Sequence, residues 1–247
     1  MIPPPSLTPR VLVMKGGVLT KGEFLMNGSV SQLREIIVGA AELLFSSGVM
    51  QHSGHANLSA RLDKEQMVLT STGNIRGLTT DDLAIISFDG DVVTAKIDPT
   101  TAEIVPMHTA VYRAREKVGS IIHTHSPHIT AFALAHEPLP CAYEGLLRFG
   151  FGDAIPVAAW APRGSKESVS NIVSQIAEHP NSPAVLLANH GLLAFGVNPI
   201  QTAGLIIVIE ETAQAMLGAR ILGGEKSFPV DALKRVQERI AEFKTEK

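Results

Sequence analysis

The sequence predicts an α/β protein built on a mostly antiparallel central sheet. Three observations carry this. The chain of 247 residues is 45% hydrophobic and 18% charged, which is enough apolar material for a substantial core. Short β-branched runs alternate with stretches whose apolar residues recur at helical spacing. The strands outnumber the helical crossovers that an all-parallel sheet would need.

Residues 1–28 carry four early prolines and several glycines. They read as an irregular arm with a short strand at Val11-Leu12-Val13, ahead of a domain over 29–247. Ser31 opens a helix in which Leu33, Ile36, Ile37, Ala40, Ala41, Leu43 and Leu44 share a face, and Gly48 ends it. Ser53 to Arg61 is a loop running into a strand, and Met67 to Thr70 is its pairing partner. Ser71-Thr72-Gly73-Asn74 is a turn of small hydrogen-bonding residues. Leu83 to Phe88 and Val92 to Ala95 form a meander around Asp89-Gly90-Asp91. A helix follows from Val105 through Arg115, with Met107, Val111 and Ala114 as its stripe. It carries His108, and a lone helical histidine is more often structural than a ligand.

Ser120-Ile121-Ile122 is a buried strand that enters His123-Thr124-His125. Ser126 reads as a cap and Pro127 as the first residue of a helix to Ala135. Pro138 to Cys141 and Ala154 to Ala159 read as further strands. Ser165 caps a helix from Lys166 to Ala177. Ala184 to Ala188 is a buried strand ending at Asn189-His190-Gly191, where glycine lets the backbone turn sharply. Leu192 to Phe195 resumes as a strand. A long helix spans Pro199 to Leu222, closed by Gly223-Gly224, and Val230 to Phe243 is a final amphipathic helix.

A net charge of −3 calls for neither nucleic acid nor an anionic membrane as partner. The single cysteine, Cys141, excludes an intramolecular disulfide and a cysteine-rich zinc site, and fits a reducing, cytoplasmic setting. Met1 to Pro9 lacks the basic and apolar regions of a signal peptide. The most apolar run, Gly204 to Ile209, is too short to span a bilayer and meets Glu210-Glu211.

On a strand, residues i and i+2 point to one face, so the imidazoles of His123 and His125 can reach one point in space. A strand end just before a helix is where sites collect in α/β folds. His-x-His alone fits a structural pair equally well. His190 at another strand end and Glu103 ahead of a helix add to it. Three histidines with an open position are the usual plan of a catalytic divalent-metal site, and a nearby carboxylate can shuttle protons. Spacing alone does not bring His190 to the pair. The two polar loops around Gly54 and Gly73 can cradle an anion, or are simply turns.

The motifs together resemble the class II aldolase/adducin family. They are Gly54-His55-Ala56-Asn57-Leu58-Ser59-Ala60-Arg61, Leu69-Thr70-Ser71-Thr72-Gly73, Pro99-Thr100-Thr101-Ala102-Glu103 with Met107-His108, the His-x-His, and Ala188-Asn189-His190-Gly191. Each is weak alone; five in order are specific, and they span roughly Ser31 to Gly224. The resemblance implies a single-domain, three-layer fold with helices flanking the sheet. It implies that His123, His125 and His190 bind Zn2+, or Mn2+ or another divalent cation. It implies that Asn57, Thr72, Gly73, Thr100 and Thr101 line the pocket for the anionic end of a small-molecule substrate. It also implies Glu103 as the acid/base and a homotetramer with interfacial active sites. Family aldolases bring aromatic side chains from a neighbouring subunit, and Tyr143 and Arg163 occupy the corresponding loops here. Arg163 can clamp a carboxylate through two parallel hydrogen bonds. His55, beside the anion loop, is one more hydrogen-bonding group or a turn residue.

One departure concerns Glu103, which lies five residues before His108, where the family places its glutamate four before. Ile104 holds the four-before position. We read one extra loop residue with the role of Glu103 kept; the other reading is a helix-start carboxylate on the dipole. The implied activity is a metal-dependent carbon–carbon lyase. Retro-aldol cleavage of a small sugar phosphate or hydroxyketone through a metal-stabilised enediolate comes first. Decarboxylation of a hydroxy- or keto-acid shares that intermediate and comes second. A 4-epimerase, a dehydratase or a non-enzymatic adducin-like module stands behind both.

Overall fold

A computed structural model describes residues 29–50 and 52–245; the strand expected at 11–13 lies outside the described residues. Its sheet is made of β1 (Ala56–Arg61), β2 (Gln66–Thr70), β3 (Leu83–Ser87), β4 (Val92–Thr94), β5 (Ser120–Thr124), β6 (Val157–Ala158), β7 (Ala184–Leu187) and β8 (Gly191–Gly196). Their spatial order is β4-β3-β2-β1-β5-β8-β7-β6. Every pairing is antiparallel except β6 with β7. The helices are α1 (Val30–Ser46), α2 (Pro99–Ala102), α3 (Val105–Ala114), α4 (Pro127–Ala135), α5 (Glu144–Arg148), α6 (Lys166–Glu178), α7 (Pro199–Ile221) and α8 (Ala232–Thr245).

Two cores sandwich the sheet. On one face Ile37 and Leu44 of α1, Phe132 of α4, and Ile206 and Ile209 of α7 meet Leu58, Ile122 and Leu186. On the other, Val111 and Tyr112 of α3 and Ile172 and Ile176 of α6 meet Met67, Leu69, Ile121 and Phe195. The central strand β5 is buried on both faces, which is why its sequence, Ser-Ile-Ile-His-Thr, shows no alternation of apolar and charged residues. His123 follows Ile121 by two and so looks to the α3–α6 side.

α7 is long and apolar enough to cross a membrane by length and composition, but half of that stretch is buried inside the fold. Its apolar character is used as the central helix packed on α1 and α4. Gly223 and Gly224 leave it at φ 103° and 91°, left-handed values that favour glycine.

Three local expectations fail, each for a physical reason. The strand at Pro138 to Cys141 is a single bridge, Leu139 to Ile155, and Ala154 to Ala159 shrinks to β6. Pro138, Pro140 and Pro156 lack the N–H groups that a ladder needs. The one-turn helix α2 was not foreseen; Asp98 caps it by accepting the Thr100 N–H, with Pro99 at its first position. Ser126 does not cap α4, because its hydroxyl pairs with that of Thr124 at 2.9 Å.

The cap of α4 comes instead from α7. Glu210, buried at 7% exposure, accepts the His128 N–H on Oε1 and the Ile129 N–H on Oε2, both at 2.9 Å. The His128 ring donates to Oε1 as well, at 2.8 Å. A carboxylate at the positive end of a helix outdoes a hydroxyl there. Glu210→Ala should therefore lower stability by about 2–3 kcal/mol, and Glu210→Gln by roughly half of that, in urea denaturation. An unchanged midpoint in Glu210→Ala would deny the cap any energetic weight.

Candidate metal centre

The centre is assembled by strand pairing. β5 and β8 run antiparallel with Thr124 opposite Leu192 and His123 opposite Leu193. The β7–β8 turn that carries His190 is thereby laid against the end of β5, where His123 and His125 project. The three ring centroids lie 4.6 to 4.9 Å apart. His123 Nε2 and His125 Nε2 are 2.9 Å apart, and one nitrogen from each of the three rings lies within 4.8 Å of the others.

Gly191 permits this approach. A Cβ there would sit 2.5 Å from the Thr124 carbonyl oxygen and 2.9 Å from His125 Cδ2. The sharp turn itself, expected of Gly191, belongs to Asn189, which holds φ 57°. Asn189 tolerates that region because its side chain is tied down: Oδ1 accepts from His136 Nε2 at 2.7 Å. Its N–H donates to the Ala133 carbonyl at the end of α4. His136 is thus a brace for the turn.

The donor set fits a divalent cation. His123 donates from Nδ1 to the Leu192 carbonyl at 2.8 Å, which fixes the tautomer and leaves the Nε2 lone pair facing its neighbours. Burial, aided by the neighbouring histidines, holds His123 well below the ordinary imidazole value. Burial with nearby His190, His55 and Arg163 takes His125 down to about 4. His190 is lowered by burial, then by Arg163 and His55. Three rings kept neutral offer three lone pairs. Metal–nitrogen bonds of about 2.0 Å set tetrahedral ligands about 3.3 Å apart, inside the spacing observed. An all-imidazole set suits zinc and other transition ions over magnesium or calcium.

Around the triad lies a pocket walled by Asn57, Glu103, Met107, Arg163, Gly164 and Leu187 together with His55. His55 stacks on His125 with centroids 5.2 Å apart, and Gly73 leaves room for it: a Cβ there would meet His55 Cε1 at 3.1 Å. Glu103, just past α2, is half-exposed, with Oε2 3.5 Å from Arg163 Nε. Arg163 also donates to the Thr100 carbonyl. Gly164, at φ 76°, packs on the Glu103 stem. Ile104, one residue on, is buried and packs into the α3–α6 core, so the loop carries Glu103 into the pocket and Ile104 out of solvent.

The other expected residues are spread more widely. Thr100 gives its hydroxyl to Asp98 at 2.6 Å, and Thr101 is buried with its hydroxyl unpartnered. Thr72 accepts the Asn74 N–H at 3.2 Å on the loop beside His55. Tyr143 lines a different cleft from the triad's pocket. Its phenol donates to Glu211 at 3.2 Å, in a cleft along α7 with Thr212 and Met216.

His108, read from sequence as structural, is fully buried against the site. Its Nε2 lies 2.6 Å from Asn57 Oδ1 and its Nδ1 2.7 Å from Ser59 Oγ, which in turn lies 2.8 Å from the Tyr112 hydroxyl. The signal was its i, i+4 spacing to Tyr112 on one helix face. Burial depresses His108 to about 3 and pushes the Tyr112 phenol up.

The family model for the Class II Aldolase and Adducin N-terminal domain matches residues 35–217. The chain belongs to this family. It is 30% identical over 210 residues to a 5-deoxy-D-ribulose 1-phosphate aldolase of Bacillus thuringiensis, covering 84% of this chain and 94% of that one. It is 27% identical over 176 residues to a methylthioribulose-1-phosphate dehydratase of Stenotrophomonas maltophilia, covering 68% and 81%. The solved structure of an L-fuculose 1-phosphate aldolase superposes with a TM-score of 0.76 at 25% identity, over 87% of this chain and all of that one. The class II aldolase family is divalent-metal dependent, and the triad here can bind such a metal.

Two outcomes follow for this aldolase-family chain. Purified protein should carry stoichiometric divalent metal that His123→Ala abolishes, and Gly191→Ala should weaken retention at least about tenfold against a competing chelator, since one displaced ligand has that effect. Metal retained by His123→Ala would remove the triad from the site. The second outcome concerns His108. Its folded pKa lies below its unfolded one, so between about 6.5 and 3 the unfolded chain binds the extra proton and stability falls as pH falls. In His108→Gln the stability-versus-pH slope from pH 5.5 to 4 should be shallower by about 1.4 kcal/mol per pH unit. Equal slopes by urea titration would mean that His108 titrates freely.

Proposed function

We propose that the protein is a divalent-metal-dependent carbon–carbon lyase that cleaves a small sugar phosphate by a retro-aldol reaction. The observation that carries this is the meeting of three neutral imidazoles, one carboxylate and one guanidinium on a single pocket. His123, His125 and His190 would hold the cation, with zinc favoured by the all-nitrogen set. Bound there, it supplies Lewis acidity for the negative charge that develops on substrate oxygens.

In a retro-aldol cleavage a hydroxyl proton leaves, the adjacent carbon–carbon bond breaks, and a proton returns to the carbon left behind. Glu103 is placed to carry that proton: it walls the pocket, and its exposed half lets it exchange protons with water. Arg163 beside it keeps a counter-charge for an anionic substrate. Asn57 binds the anionic end, completed by Thr72, Gly73, Thr100 and Thr101 on the adjoining loops. Tyr143, exposed and outside the pocket of its own triad, would serve the pocket of a neighbouring subunit in a homotetramer. The enzyme so described is cytoplasmic.

The relatives' names suggest the first substrates to try. Cleavage of 5-deoxy-D-ribulose 1-phosphate between C3 and C4 yields dihydroxyacetone phosphate and acetaldehyde. Decarboxylation of a hydroxy- or keto-acid is the second reading, favoured by the guanidinium of Arg163 in the pocket, which pairs well with a carboxylate. Metal-loaded protein assayed with 5-deoxy-D-ribulose 1-phosphate and L-fuculose 1-phosphate should release dihydroxyacetone phosphate, and Glu103→Gln should lower kcat by roughly 10²- to 10⁴-fold without loss of metal. Carbon dioxide from a hydroxy-keto acid, with no aldehyde from either phosphate, would transfer the assignment to the second reading. Undiminished turnover in Glu103→Gln would remove Glu103 from the chemistry.

A further inference from the structure

We infer that His108 is a positioning residue: it holds the Asn57 carboxamide so that both of its N–H donors serve an anionic oxygen in the metal-centre pocket. That the occupant is anionic rests on the reading above; the orientation rests on the hydrogen bonds alone.

Asn57 lies on β1 directly opposite His123 on β5, and it walls the pocket beside Arg163. Its Oδ1 can only accept, so the proton in the 2.6 Å contact sits on His108 Nε2. A neutral imidazole has one N–H, so Nδ1 is bare and accepts from the Ser59 hydroxyl at 2.7 Å. Ser59 has then spent its proton, and its oxygen accepts from the Tyr112 hydroxyl at 2.8 Å. Every proton along Tyr112, Ser59, His108 and Asn57 therefore has one direction.

The far end of the row is fixed. The Arg61 guanidinium lies 4.6 Å from the centre of the Tyr112 ring and donates to the Tyr112 carbonyl at 2.8 Å. Phe88 stacks on the same ring at 5.3 Å. At the near end, an inverted Asn57 amide would set its NH2 against His108 Nε2–H. Two donors would meet head-on where His108, Ser59 and Tyr112 are within 1% of full burial, a place that penalises an unpaired donor heavily. The opposite row, with the His108 proton on Nδ1, would leave the buried Tyr112 O–H without an acceptor among the described residues, so the amide is held in one orientation. Among the described residues no group pairs with Asn57 Nδ2, so its donors are left for the pocket. His108 touches no substrate in this account and acts through Asn57.

The test uses the full chain, zinc-loaded, with inorganic phosphate as the probe and calorimetry as the readout. Asn57→Ala should weaken phosphate binding roughly tenfold, His108→Phe should do the same, and the double variant should be no weaker than either single one. Zinc content should stay stoichiometric in all three. Additive losses, or unchanged phosphate affinity in a folded His108→Phe, overturn the inference. So does a wild-type chain that binds zinc but no phosphate. If His108→Phe does not fold, histidine 15N NMR on the wild-type chain decides. The Nε2–H tautomer is expected, and an Nδ1–H tautomer would reverse the row and overturn the inference. Neither readout needs turnover, so a chain that cleaves no sugar phosphate contradicts the lyase reading and leaves this one standing.

Discussion

The whole site depends on one backbone pairing, β5 against β8. That ladder sets Thr124 opposite Leu192 and so delivers the His190 turn to the His-x-His strand end. It works only because Gly191 presents no Cβ to the Thr124 carbonyl, which would stand 2.5 Å from it. Everything outside this contact serves to hold it. α4 follows β5 directly and is pinned by Glu210 from α7. Asn189 is pinned in turn by His136 at the end of α4 and by the Ala133 carbonyl. The strand end, the helix after it and the facing turn form one braced unit.

Burial gives this unit its chemistry at a cost in stability. Imidazoles in a desolvated place lose their protons, which is what a ligand set needs and what an acid-stable fold does not. The same holds one layer down, where Ser59, His108 and Tyr112 spend polar groups inside the α3–α6 core. A polar row in such a place is tolerated only when each donor meets an acceptor, and here each does. The pocket above it is therefore lined by groups whose protonation and orientation are set in advance.

Much of the architecture was legible because it rests on local periodicity. The pair Ile121-Ile122 before His123 announced a buried strand, and the helical stripes of α1 and α3, with the spans read for α6 and α7, marked the two outer layers. The common face of His123 and His125 follows from strand geometry alone. His190 did not: only the family resemblance joined it to the pair, since nothing local encodes which strands will neighbour. The failures share that origin. Ser126 looks like a cap until a distant carboxylate, Glu210 of α7, takes its place. The segments around Leu139 and Ile155 look like strands until their prolines leave too few donors. His108 looked inert because its partners, Asn57 and Ser59, come from a strand some 50 residues earlier. Glu103 was legible as a carboxylate near the site, and the structure sets it just past α2 on the wall of that pocket.

The central claim is that three imidazoles, two from a strand end and one from a distant turn, share one divalent ion with room left for a ligand. X-ray absorption at the zinc edge of the loaded protein addresses it directly. The account predicts a first shell of three imidazole nitrogens at about 2.0 Å plus one or two lighter oxygen scatterers. A shell of four imidazoles, which would leave no open position, or one with fewer than three, would contradict it.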